Sequence, residues 1–126
     1  MSLFSRSRRE SGAQAEAIAQ DYLARQGLDT LQRNYRCKGG EIDLITRDAH
    51  GTIVFVEVRY RAGQSHGGAL ASVDRRKQQR LLRAASHYLL SHGLNQQPCR
   101  IDVVALEGDP SRQTRIEWIR NAIEMA

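Results

Sequence analysis

No apolar stretch in these 126 residues approaches the roughly 20 needed to span a bilayer, so no membrane partner is expected. There is no CxxC, and neither Cys37 nor Cys99 has a second Cys or a His at zinc-ligand spacing, which argues against a structural zinc site. The two thiols read as reduced, buried or half-buried side chains of a cytoplasmic protein. The first ten residues, MSLFSRSRRE, carry basic side chains but no apolar segment behind them. They read as a flexible basic arm, 1–10, rather than a secretory signal, with a single domain over 11–126. Internal repeats and low-complexity segments are also missing. Tyr60 and Trp118 lack the interleaved spacing of a base-stacking platform.

What is present is a hydrophobic share of 40%, enough for a core, and a formal net charge of +5. A basic balance favours polyanions through phosphate contacts and counterion release. The charge is also concentrated: Arg75, Arg76, Lys77, Arg80 and Arg83 crowd one segment, and Arg59 and Arg61 another.

Periodicity places the elements. Ser11 with Gln14 has the form of a capping box, and Ala15, Ile18, Ala19, Tyr22 and Leu23 follow helical spacing up to Gly27, predicting a helix over 11–26. Strands are predicted over 29–36, 41–47 and 52–60. The last, TIVFVEVRY, has the composition of a central strand. A Gly-rich loop, 61–70, contains His66, which reads as a loop residue without a ligand partner. A long helix over 72–92 follows, with Ser72 as N-cap and Gly93 as stop. Its buried stripe should be Leu81, Ala84, Ala85, Tyr88 and Leu89. A strand over 100–107, a break at Gly108-Asp109-Pro110, a short strand over 114–119 and a helical turn over 120–126 complete the chain. A meander followed by a helical crossover implies an α/β domain with a mixed sheet.

Two acids interrupt otherwise apolar strands. If Ala49-His50-Gly51 is a three-residue hairpin loop with Gly51 left-handed, Asp48 pairs with Thr52, and the same register sets Asp43 opposite Glu57 on one sheet face. Two carboxylates so placed repel, and a divalent cation relieves the repulsion. Mg²⁺ takes one or two carboxylates together with water and phosphate oxygens. Arg59 shares the face of Glu57 by alternation and can grip a phosphate or stabilise a transition state, though it cannot act as a general base. A simpler arrangement stays open, in which Asp43 pairs with an edge arginine and Glu57 with Arg59. Glu16 lies beside the apolar stripe of the first helix and could reach the site. At the start of the long helix, Lys77 or Gln78 could project toward the acids, where the helix N-terminus favours phosphate, while Arg76 and Arg80 track a backbone. Asp102, opening the fourth strand, reads mainly as a salt-bridging residue.

These segments, GGEIDLI (39–45), FVEVRYR (55–61), RRKQQRLLRAASHYL (75–89) and RIDVVAL (100–106), closely resemble the YraN-like bacterial proteins, in the same order. That family resembles the archaeal Holliday junction resolvases and the restriction-endonuclease-like PD-(D/E)xK superfamily. The resemblance implies a helix–three strands–helix–strand core and a metal-dependent nuclease that cuts DNA, branched or structured, with Mg²⁺ or Mn²⁺. It also implies a homodimer, since two strands must be cut. The helix acid would be Glu16, the two metal-binding acids Asp43 and Glu57, and the lysine of the ExK motif would fall on Arg59. Lys77 would then replace that lysine from the helix. Arg59, Arg61, Arg76, Lys77, Gln78 and Arg80 would bind nucleic acid. The alternative is a non-catalytic nucleic-acid-binding protein that keeps the fold.

Overall fold

The computed structural model describes residues 8–61, 68–108 and 114–125. The order is α1 (Arg8–Arg25), β1 (Asp29–Cys37), β2 (Gly40–Arg47), β3 (Ile53–Arg61), α2 (Gly68–Ala71), α3 (Arg75–Ser91), β4 (Cys99–Gly108) and β5 (Thr114–Ile123). The strands form one sheet in the order β1-β2-β3-β4-β5. All neighbours are antiparallel except β3 and β4, which the helical crossover makes parallel. This is the expected helix–three strands–helix–strand core with a mixed sheet, extended by β5.

Each sheet face is covered by one long helix. Ala15, Ala19 and Leu23 of α1 pack on Leu44, Val54, Val56, Val104 and Leu106. On the other face Leu81, Ala84, Ala85, Tyr88 and Leu89 of α3, the stripe expected from spacing, pack on Ile42, Ile45, Phe55, Ile101 and Val103. β3 and β4 therefore carry apolar residues on both sides. None of the described helices is long and apolar enough to cross a membrane.

Several boundaries differ from expectation. α1 begins at Arg8, three residues early, so Ser11 is an interior position; Arg and Glu are good helix formers and extend the helix backward. The expected loop 61–70 includes a helical turn, α2, while His66 lies outside the described residues. The cap of α3 is Asp74, whose carboxylate accepts the Lys77 amide, and Ser72 is used elsewhere. β5 runs on to Ile123 in place of a helical turn, because Asn121 adopts a left-handed φ of 50° and its amide is tied to Asp102 at 2.8 Å.

The hairpin between β2 and β3 follows the expected register. Gly51 has φ 86°, the Asp48 amide donates to the Thr52 carbonyl at 3.0 Å, and Leu44, Ile45, Thr46 and Arg47 face Val56, Phe55, Val54 and Ile53. The other hairpin is pressed onto α3. A Cβ on Gly40 would stand 2.4 Å from the Arg80 carbonyl oxygen and 2.9 Å from the Ala84 nitrogen, so β2 starts against the helix backbone.

Candidate active site

The β2–β3 ladder ends at Leu44 and Val56. Beyond that pair β2 remains bonded to β1 and β3 to β4, so the two strands fork. Asp43 and Glu57 are the first residues past the fork. On the other side of β2, pairing with β1 passes from Arg33–Leu44 to Tyr35–Ile42, and Asn34 between them has φ 52°. Ile42 and Ile45 both pack on the α3 side while Leu44 packs on the α1 side, so strict alternation fails across Asp43.

The two acids nonetheless stand beside each other, although alternation breaks at Asp43. Glu57 lies on the α3 side, in line with Phe55. Asp43 reaches across the fork, and its Oδ2 accepts the Val58 amide at 2.8 Å. From there its charge reaches both Glu57 and Glu16 of α1.

Glu57 is 1% exposed. Its Oε2 meets Arg59 Nη1 at 3.3 Å and Lys77 Nζ at 3.4 Å. Its Oε1 is buried and has no donor. Burial first, and then the neighbouring charge of Asp43 and a hydrogen bond between the two carboxyls, push Glu57 up to about 8 against the pull of Lys77 and Arg59. Glu57 is therefore a buried acid beside a second acid, with one oxygen open to a cation.

Arg59 is held in three places. Besides Glu57, its Nε donates to Ser72 Oγ at 3.0 Å and its Nη2 to the Ser72 carbonyl at 3.2 Å. The simpler sequence expectation is thus half met: Glu57 does pair with Arg59, but Asp43 accepts a backbone amide. Lys77 bridges Glu57 and Glu41, whose Oε1 is 3.5 Å away. Gln78 does not project to the acids, because its amide donates to the Val73 carbonyl at 2.9 Å. Arg76 and Arg80 line an open groove of about 510 Å³ with Glu41, Arg59, Ser72, Asp74 and Lys77. Arg61 ends β3 opposite Glu107.

Burial first, and then Asp43, raise Glu16, while Arg33, a hydrogen bond from Asn34, and Arg36 oppose the rise. Among the described residues no three His, Cys, Asp or Glu side chains gather about one point, and Glu16 adjoins the pair through Asp43. Two carboxylates, one with an orphaned buried oxygen, fit a Mg²⁺ or Mn²⁺ ion that keeps most of its water. Asp102 stands apart, bonded to Arg100, Trp118 and Asn121. Sequence reasoning missed Glu41. Its signal was its place directly after Gly39-Gly40, which brings it against α3.

The family model described as Uncharacterised protein family UPF0102 matches residues 15–106. The chain belongs to that family. The matched stretch contains Glu16, Asp43, Glu57, Arg59 and Lys77 and stops before β5. A UPF0102 protein of Cupriavidus metallidurans is 59% identical over 114 residues, which are 90% of this chain and 81% of that one. One from Alcanivorax borkumensis is 48% identical over 118 residues, 93% and 94% of the two chains. The expected YraN-like membership therefore holds. Among solved structures, a repair endonuclease from Pyrococcus abyssi aligns at TM-score 0.45 and 16% identity, over 85% of this chain and 42% of its own. The EndoMS–dsDNA2 complex aligns at 0.41 and 18%, over 72% and 34%. Likeness at that level speaks neither to substrate nor to chemistry.

Proposed function

We propose that this UPF0102 protein is a metal-dependent nuclease that hydrolyses phosphodiester bonds in DNA, with branched or structured DNA as its expected substrate. The observation that carries the reading is the fork: it sets two carboxyls against each other and leaves Glu57 Oε1 buried without a donor. Asp43 and Glu57 would hold Mg²⁺ or Mn²⁺, which when bound activates water and offsets charge on the phosphate. Arg59, fixed by Ser72, presents its guanidinium beside the acids to a non-bridging phosphate oxygen. It stays protonated, so it orients and stabilises without taking a proton. Lys77 lies on the same oxygen of Glu57 and adds a second positive charge for the phosphate. Arg76 and Arg80 line the groove along which the backbone would continue. Cutting two strands would call for a homodimer, which sedimentation of the protein alone and on DNA would test.

The decisive assay is cleavage of branched, flapped and single-stranded DNA with Mg²⁺ or Mn²⁺. Wild-type cleavage that Asp43→Ala abolishes supports the reading. Equal cleavage by Asp43→Ala, or none by the wild type, sinks it. Salt-dependent binding without cleavage would instead support the non-catalytic alternative.

A further inference from the structure

Glu41 is ringed by cations that it does not bind tightly. Arg36 Nε lies 3.9 Å from one carboxylate oxygen, and Lys77 Nζ and Arg80 Nη2 lie 3.5 Å and 3.9 Å from the other. A charge-assisted hydrogen bond is about 2.8 Å long, so three donors from a strand and a helix converge on one anion without closing on it. The cradle is preformed. Gly40 seats the start of β2 on the α3 backbone, and Arg83 lies over Gly39, where a Cβ would meet its Nη1 at 2.5 Å. Glu41 is partly exposed at the wall of the groove that also holds Arg59 and Arg76. Through Lys77 this cradle adjoins Glu57.

We propose that the Glu41 carboxylate occupies a seat for a backbone phosphate. The phosphate next to the one at the acid pair displaces Glu41 and takes Arg36, Lys77 and Arg80 as its partners. A backbone phosphodiester carries the same single charge as a carboxylate, but its tetrahedral oxygens accept from more directions and its neighbours along the strand add further charge, so it suits three loosely spread cations better. Glu41 is then a competitor of nucleic acid, preventing the cations from repelling one another in the free protein. This inference rests on the nucleic-acid reading above but not on cleavage.

The test is binding of a short fluorescent DNA duplex by anisotropy in EDTA, across a salt series. Glu41→Gln should bind about three- to tenfold more tightly at low salt, with a salt slope steeper by about one unit. Asp21→Asn removes the same charge from the exposed Asp21–Arg25 pair on α1 and should change binding far less. If Glu41→Gln binds no better than Asp21→Asn, the seat is overturned. Arg36 is 78% exposed in its side chain, so Arg36→Gln should fold normally, weaken binding and flatten the slope by about one unit. An unchanged slope there also overturns the seat. Cleavage is scored separately: tightening without cleavage keeps the seat and removes the nuclease, while cleavage without tightening does the reverse.

Discussion

Two carboxylates are buried in the middle of this sheet, and they have opposite surroundings. Asp102 on β4 is completely enclosed, yet both its oxygens are satisfied. Arg100 Nε donates at 3.0 Å and 3.2 Å, Trp118 Nε1 at 2.9 Å and the Asn121 amide at 2.8 Å. Glu57 on β3 is equally buried, but one oxygen has no donor and a second acid faces it. Burial alone therefore does not distinguish a working site from a structural staple. Completeness of bonding separates these two: Glu57 holds Arg59 and Lys77 on one oxygen and leaves the other open, which is where the proposed cation would bind.

The largest effects would come from breaking each carboxylate in turn. Glu57→Gln, nearly isosteric, should cut metal-dependent cleavage about a thousandfold or more while leaving the melting temperature unchanged or higher, because it removes the repulsion with Asp43. Retained cleavage would place Glu57 with Asp102 as a structural acid. Asp102→Ala should do the reverse, costing about 3 kcal/mol or more in denaturant unfolding by orphaning Arg100, the indole N–H and the Asn121 amide. A small loss would show that the staple is dispensable.

Gly40→Ala forces a methyl group into the Arg80 carbonyl and should cost about 2 kcal/mol, read by thermal unfolding. Because it displaces the hairpin that bears Arg36, DNA affinity should fall with it, whereas Trp118 fluorescence near Asp102 should hardly change. The gentlest effect, per pH unit, is a slope. Glu57 is raised from the ordinary 4.5 of a glutamate to about 8. Between those values the unfolded chain releases a proton that the folded chain keeps, so stability declines as pH rises, by at most about 1.4 kcal/mol per pH unit. The contribution is complete below the unfolded value and lost as pH passes about 8. Glu57→Gln should flatten this slope, and Mn²⁺ should raise the melting temperature of the wild type at pH 8 but not of the variant. Parallel pH curves for the two proteins would contradict the assignment.

Much of this was legible in the sequence because its causes are local. The turn Asp48–Thr52 fixes the β2–β3 register through Gly51 and the Asp48 carboxylate, and both act within five residues. The α3 stripe follows from helical spacing alone. What escaped depends on partners distant in sequence. Ser72 and Asp74 are both good cap residues, and what sets them apart is that Arg59 binds Ser72 from another strand. Asn34 and Asn121 turn left-handed where Glu16 and Asp102 hold them. The fork at Asp43 and the cations around Glu41 likewise require strand and helix to be already packed.

The Val58 amide, bonded to the Asp43 carboxylate instead of a strand carbonyl, has one further consequence. A single N–H bond is aimed at the charge of the acid pair. Its proton resonance should move as the neighbouring Glu57 titrates and again as a cation arrives. One peak in a ¹⁵N-labelled sample would then report the electrical state of the site with no substrate present.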